Sequence, residues 1–314
     1  MTFIHTYATS TNLGPLFDRM GLKLGEPFFT STYGNTRRYR GLVIKSKYLV
    51  PSANSAQDLF SKMVKDFDIN GGLELYVKNN LPDCLGKSAA HAVAVVELTN
   101  SLYNLGLTEK QKISYAILGE PGQKSCNVVP CVVGGLVHSY KTGKDLDYKK
   151  LEIPSFFRVG VVIPKNLSGT TEAEDVAKGL DYNTAEAGHA SCLGERFFVA
   201  LLRENFDILR TAILDYTEWG KSITNVRNAE GVYGIDVRML NQKLEQFLGS
   251  SAVITPSGGG PAMLLFAEND DARDRGLKRV EAAYTMKGEP VETFGININP
   301  KSSYEELGLL TQVY

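Results

Sequence analysis

Tryptophan occurs once in this chain of 314 residues, and histidine and cysteine occur four times each. No two of the cysteines (Cys84, Cys126, Cys131, Cys192) have CxxC spacing; Cys126 and Cys131 stand as CxxxxC. That excludes a zinc framework or a disulfide scaffold, and a reduced, cytoplasmic protein is the simplest expectation. The histidines (His5, His91, His138, His189) lack metal-ligand spacing, and HExxH and GxSxG are both missing. Charge of one sign is not in excess either. Lys+Arg is 34 and Asp+Glu is 35, for a net charge of -1, so no basic surplus is available to neutralise many phosphates of a nucleic acid. Long hydrophobic runs are absent. The longest, Val128 to Val137, is broken by Pro130, Gly134 and Gly135 and is too short to span a bilayer. The segment MTFIHTYATSTNLG lacks the basic and apolar regions of a signal peptide. What is present is an ordinary globular composition, 43% hydrophobic and 22% charged, with enough chain for a sizeable core in one large domain or two. Glycine, at 30 residues, is somewhat abundant, and its placement matters more than its number.

The first half alternates strand-like and helix-like segments. The β-branched, aromatic stretch 36–50 predicts a strand, and the apolar spacing of Leu59, Phe60, Met63, Val64 and Phe67 predicts a helix over 52–67. A strand is expected at 73–80, then a loop, then helices at 88–107 and 109–120, and an apolar β-branched run over 127–140. The polar, Lys-rich stretch KTGKDLDYKK (141–150) marks a soft boundary, giving domains 1–152 and 153–314. Beyond it, 156–164 reads as strand, 173–180 and 183–217 as helical, 235–249 as a capped helix, 252–268 as strand, Gly-rich turn and strand, 270–287 as helix and 291–299 as strand.

Four segments can carry chemistry. Leu81-Pro82-Asp83-Cys84-Leu85-Gly86-Lys87-Ser88-Ala89-Ala90 follows a strand and opens a helix. Such a place offers backbone N–H groups and the positive end of a helix dipole to an anion. Gly86 allows close approach of a phosphate, Lys87 adds a point charge, and Ser88 is placed to cap the helix or to ligate Mg²⁺. An ordinary helix start is the plainer reading. The tripeptide Gly86-Lys87-Ser88 is the tail of a Walker A loop, but Leu81 stands where that loop needs glycine. The second segment, Ser257-Gly258-Gly259-Gly260-Pro261, is either a loose hairpin turn or a backbone that passes close to a ligand. The third, Thr9 to Gly21, holds Asn12 and Asp18 around a turn at Gly14-Pro15. In the fourth, Glu120 ends a helix a few residues before Asn127.

Taken in order, YATSTNLGPLFDRMGLKL (7–24), LPDCLGKSAA (81–90), KSCNVVPCVVGG (124–135) and SGGGP (257–261) resemble the motifs ATSANLGPGFDxLGL, PxxxGLGSSAA, HxDNVAPALLGG and SGAGP of the GHMP kinases. Within that superfamily the chain is most similar to the homoserine kinases. The resemblance implies an α+β fold, with an N-terminal domain like ribosomal protein S5 domain 2 and a ferredoxin-like C-terminal domain. It implies ATP and Mg²⁺ as cofactors and transfer of a phosphoryl group to the hydroxyl of a small molecule. ATP would lie along Pro82, Cys84, Leu85, Gly86, Lys87, Ser88 and Ala89, with Gly258, Gly259 and Gly260 packed against that loop. Ser88 and Glu120 would hold Mg²⁺, and these two with Lys87 form the expected catalytic set. Asn12, Asp18, Asn127, Glu174 and Gly259 would meet the substrate. A homodimer, with no nucleic-acid or membrane partner, is the implied assembly.

Departures from the family pattern sharpen the question. Cys84 replaces its first loop glycine, Lys87 its first loop serine, Cys126 an aspartate and Lys124 a histidine. Glu174 stands where an arginine grips the substrate carboxylate, and Lys221 is the nearest cation to a second such arginine. A carboxylate facing a carboxylate repels, so an alcohol that carries an amine or lacks the carboxylate is the expected acceptor. Two alternatives stay open: a GHMP fold that has lost phosphoryl transfer and acts as a binding module, and an ATP-dependent decarboxylase of the same superfamily.

Overall fold

The computed structural model describes residues 2–11, 13–16, 19–46, 53–79, 81–82, 84–120, 125–142, 145–167, 183–219, 222, 232–258 and 261–309. The chain is α+β and divides into two compact units. One comprises Met1–Ser10, Gly21–Leu151 and Ile298–Tyr314; the other comprises Thr11–Met20 and Glu152–Asn297.

In the first unit, β1 (Thr2–Tyr7), β4 (Phe29–Arg37), β5 (Gly41–Ser46), β6 (Gly72–Asn79) and β13 (Leu307–Leu309) form a five-stranded sheet. Its order is β13-β1-β4-β6-β5, and only the β5–β6 pair is parallel. The stretch expected as one strand over 36–50 is therefore two: β4 ends at Arg37 and β5 begins at Gly41, whose φ of 106° only glycine adopts easily. Alternation sets the inner face of the sheet. Ile4, Leu73 and Leu75 are buried and their neighbours Phe3 and His5 are half-exposed.

Helix α1 (Ala53–Asp66) is amphipathic, whereas α2 (Lys87–Leu102) is buried on all sides from Ala89 to Thr99. Such a helix lies at the centre of its unit. Helix α3 (Glu109–Leu118) packs on α2 and begins at a capping box formed by Thr108 and Gln111. The apolar run after Ser125 is α4 (Ser125–Val133) followed by β7 (Leu136–Thr142). Its valines favour extended structure, but tertiary packing prevails. Pro130 has no N–H to bond the Cys126 carbonyl one turn earlier, and a Cβ on Gly21 would stand 2.0 Å from that oxygen. The backbone of β3 (Met20–Lys23) thus passes directly over the helix. A second sheet runs β2-β3-β7-β8, with β2 at Thr9–Thr11 and β8 at Asp145–Leu151.

The C-terminal segment is tied into this unit. Gly135 donates to the Asn299 carbonyl at 2.7 Å, and the fully buried Lys23 donates its ammonium to the Lys301 carbonyl at 2.8 Å. Burial lowers the Lys23 pKa.

The second unit is built on the antiparallel sheet β10-β11-β9-β12, made of Ala252–Pro256, Met263–Ala267, Arg158–Pro164 and Val291–Ile296. α7 (Val237–Leu248) and α8 (Asp270–Met286) pack on it. Leu240, Leu244, Ile254, Leu265 and Val280 meet in its core, where Asn241 bonds both the N–H and the C=O of Ile254. The helical stretch expected over 183–217 is two helices, α5 (Thr184–Leu202) and α6 (Phe206–Glu218), the latter capped by Asn205. Among the described residues, no helix is long and apolar enough to cross a membrane. The helix expected at 173–180 lies outside the described residues.

Candidate active site

The loop between β6 and α2 is a turn closed by Leu85 N–H on the Pro82 carbonyl at 3.3 Å. Pro82 and Cys84 are half-buried and Leu85 is fully buried. Helix α2 starts at Lys87. Its N-cap is Gly86, in the left-handed region at φ 61°, ψ 27°, with no side-chain cap. Ser88 is thus a first-turn residue rather than the cap. Helix geometry leaves first-turn N–H groups without intrahelical acceptors, and a glycine cap has no side-chain oxygen to offer them. The first turn also holds no acidic residue. Lys87 and Ser88 are half-buried and Ala89 is buried. Dipole, N–H groups and lysine all favour an anion at this point.

Two distant segments close on Gly86. A Cβ there would stand 2.1 Å from Thr9 Oγ1, 3.0 Å from the Thr9 carbonyl and 3.2 Å from Asn127 Oδ1. The Thr9 hydroxyl donates to Asn127 Oδ1 at 3.1 Å, and the Thr9 N–H donates to the Leu85 carbonyl at 3.3 Å. Glycine is the residue that both the torsion and the space require. Thr9, which sequence reasoning did not single out, is the hinge pin of this cradle. Its only sequence signal is a hydroxyl-rich TST before Asn12.

Glu120 follows the last turn of α3 and is 5% exposed. A Cβ on the preceding Gly119 would meet the Ala92 Cβ at 3.0 Å. Ala92 lies four residues beyond Ser88 on the same face of α2. The end of α3 that carries Glu120 therefore packs about one helical turn, ~5.4 Å of rise, from Ser88. Burial pushes the Cys131 thiol up to about 12, with Glu120 and Glu97 adding to the rise, so Cys131 is an inert apolar neighbour rather than a nucleophile.

His91, one turn below Lys87, is 5% exposed, and its pKa falls to about 4 through burial first and the charge of Lys87 second. It is neutral at pH 7. Its proton is taken up by the unfolded chain near its ordinary pKa of 6.5 but by the folded chain only near 4. Stability is therefore lost as pH falls through that window, by about 3 kcal/mol. Urea unfolding of wild type and His91→Gln at pH 7 and pH 4.5 checks this. The variant should lose less stability on acidification, and equal losses would show that His91 does not contribute.

Gly258, at φ 57°, donates its N–H to the Thr11 carbonyl at 2.8 Å, and the Ser257 N–H donates to the Ala262 carbonyl. Asn127 is half-buried in the first turn of α4. Asn12, Asp18, Glu174, Gly259 and Gly260 lie outside the described residues. The structure thus brings together Pro82, Cys84 to Ala89, Asn127 and Thr9 around Gly86, with Glu120 beside α2. Among the described residues, no group of three or more His, Cys, Asp and Glu comes together. A Mg²⁺ ion shared with nucleotide phosphates needs only one or two protein oxygens, because phosphate oxygens and waters complete its shell. Ser88 and Glu120 fit that requirement.

Residues 54–135 match the family described as the GHMP kinases N terminal domain. Along 284 residues the chain is 27% identical to a homoserine kinase of Clostridium kluyveri, a match covering 87% of this chain and 88% of that protein. It is 29% identical over 284 residues to a homoserine kinase of Streptococcus equi subsp. zooepidemicus, covering 85% and 88%. The crystal structure of a homoserine kinase from Cytophaga hutchinsonii superposes with a TM-score of 0.80 at 18% identity, covering 95% of this chain and 96% of that one. At that identity the superposition speaks for the fold.

Proposed function

We propose a working site for a chain that belongs to the GHMP kinase superfamily and is an ATP-dependent small-molecule kinase of the homoserine kinase type. The phosphates of ATP lie against Gly86 and the first turn of α2, where the backbone of Lys87, Ser88 and Ala89 and the Lys87 ammonium meet their charge. The observation that carries this is the Gly86 cradle, which Thr9 and Asn127 fill so closely that a methyl group has no room. Pro82, Cys84 and Leu85 shape the approach. Gly258, Gly259 and Gly260 are the further nucleotide-binding residues that the resemblance implies. Ser88 Oγ and the Glu120 carboxylate hold Mg²⁺. Bound Mg·ATP supplies the transferable γ-phosphoryl group and neutralises its oxygens. The protein's part is chiefly to hold the acceptor hydroxyl in line and keep its charges fixed. Asn127 Oδ1 is committed to Thr9, so its amide N–H groups, with Asn12, Asp18 and Gly259, are those that orient the acceptor.

The acceptor itself follows from Glu174. A carboxylate at that position favours an amino alcohol over a hydroxy acid. A screen of amino alcohols, hydroxy acids and sugars for ADP release tests this. The best acceptor should carry an amine and no carboxylate, and homoserine outperforming every other alcohol would sink the assignment. Lys87→Ser is tested in the same assay. Removing a charged hydrogen-bond donor to a phosphate costs about 1.5–3 kcal/mol, so the KM for ATP should rise roughly 10- to 100-fold. A lower KM would show that Lys87 obstructs the loop.

A further inference from the structure

A pocket of about 520 Å³ opens on the first unit beside the second half of α2, the start of α3 and the C-terminal segment. Glu97, on its wall, is nine residues beyond Ser88, or about 13 Å along the helix at 1.5 Å per residue, so the pocket is separate from the proposed phosphate site. Two buried charges are built into it. Glu97 is 1% exposed and Lys112 is 7% exposed, and they pair at 2.9 Å. The second Glu97 oxygen accepts from the buried Ser303 hydroxyl. The Lys112 ammonium also faces the Tyr304 ring, 5.3 Å from its centre, and Tyr304 is 67% exposed.

The remaining valences define a ligand. An ammonium has three N–H donors; Glu97 holds that of Lys112 as an ion pair and the Tyr304 ring faces it, so donor capacity is left for the pocket that Lys112 lines. Asn100 spends its carbonyl oxygen on the Leu107 N–H at 2.9 Å, which leaves its amide N–H groups to the same space. The inner wall therefore offers donors from Lys112 and Asn100 beside one buried carboxylate oxygen, Glu97 Oε2, that accepts no hydrogen bond, while the exposed Glu109, held by the Tyr148 hydroxyl, puts a carboxylate at the rim. The Glu97–Lys112 pair is neutral as a unit, so Glu109 sets the local charge. A phosphate dianion would meet one already paired cation and one carboxylate. A plain amine would leave the inner donors unmet, which is costly once they are dry. Leu107 and Val132 line the flank. We infer that this pocket is a second small-molecule site that takes an aliphatic α-amino acid, with its carboxylate on Lys112 and Asn100 and its ammonium on Glu109. Its volume and its few convergent polar groups are those of a ligand pocket. The inference is independent of the kinase reading.

Calorimetry on the full chain without nucleotide tests it, with L-valine as the probe and isobutylamine and isovalerate as its two halves. L-valine should bind saturably, and each half-ligand should bind at least about tenfold more weakly. Asn100→Leu and Glu109→Gln, which leave the buried ion pair intact, should each weaken L-valine at least about tenfold. Ser88→Ala should leave L-valine affinity unchanged. Absence of saturable binding up to tens of millimolar, isovalerate binding as well as L-valine, full affinity in Asn100→Leu, or loss of affinity in Ser88→Ala would each overturn the proposal.

Discussion

Gly86→Ala should cost about 2–5 kcal/mol of stability and remove measurable ATP binding. Two physical terms add. An alanine in the left-handed region at φ 61° is strained by about 1–2 kcal/mol. Forcing a methyl group into filled space costs about 1–3 kcal/mol more. The clash is not with the far end of a flexible side chain. Its nearest atom, 2.1 Å away, is Thr9 Oγ1, the hydroxyl of a β-branched residue with little freedom at χ1. Rotating it away breaks its bond to Asn127 Oδ1. A double-mutant cycle separates the terms. In a Thr9→Ala background the hydroxyl clash is gone, while the torsional strain and the 3.0 Å contact with the Thr9 carbonyl stay. Gly86→Ala should therefore cost less there, with a coupling in the range usual for touching residues, about 0.5–3 kcal/mol. Urea unfolding gives the stability term, and the thermal shift with Mg·ATP gives the binding term. Strict additivity with Thr9→Ala would mean that the two residues do not meet.

What the sequence makes legible is local, and the site divides along that line. The helices α1 and α2, the strand β9 and the β10–β11 hairpin announce themselves through apolar spacing and glycine breaks, so the loop before α2 stands out as a candidate anion site from the chain alone. The details that make it a cradle are not. Thr9 and Asn127 are 118 residues apart, and nothing in either segment records that they close on the same glycine. Ser88 reads as the helix cap because serine is a good one, but the torsion at Gly86 takes the cap position and moves Ser88 into the first turn. α4 shows in the sequence only as part of an apolar β-branched run, because its valines and Pro130 speak against a helix; its stability comes from burial against β3 and α2, which periodicity cannot see. β8 reads as a polar boundary because its residues are only half-buried or exposed. β13 is three residues long and pairs with β1 across almost the whole chain. The homoserine kinase-like motifs carry the family, but not the departures at Cys84, Lys87 and Glu174, which have to be argued from charge and space.

Glu120→Gln and Ser88→Ala should each lower kcat on the order of 10²–10³-fold, the usual loss when one fixed charge-stabilising contact is removed from a transition state. The reasoning rests on the scarcity of ligands. Among the described residues no acidic cluster is available to hold a divalent ion. Mg²⁺ here would depend on one hydroxyl, one carboxylate and the oxygens of its nucleotide, and losing either protein contact leaves little in reserve. Glu120→Gln keeps the volume of a side chain that is 5% exposed and removes its charge, so far-UV circular dichroism and urea unfolding should report an intact fold. Two further readings separate a metal contact from a merely structural role. The Mg²⁺ concentration for half-maximal rate should rise in both variants, and the affinity for ATP without metal should stay near wild type in Glu120→Gln. The double variant should be little worse than either single one, because groups that hold one ion act as a unit. Wild-type turnover in either variant removes that residue from the site. Losses that multiply in the double variant mean that Ser88 and Glu120 serve separate tasks, with Ser88 binding phosphate in the first turn of α2 and Glu120 anchoring the end of α3.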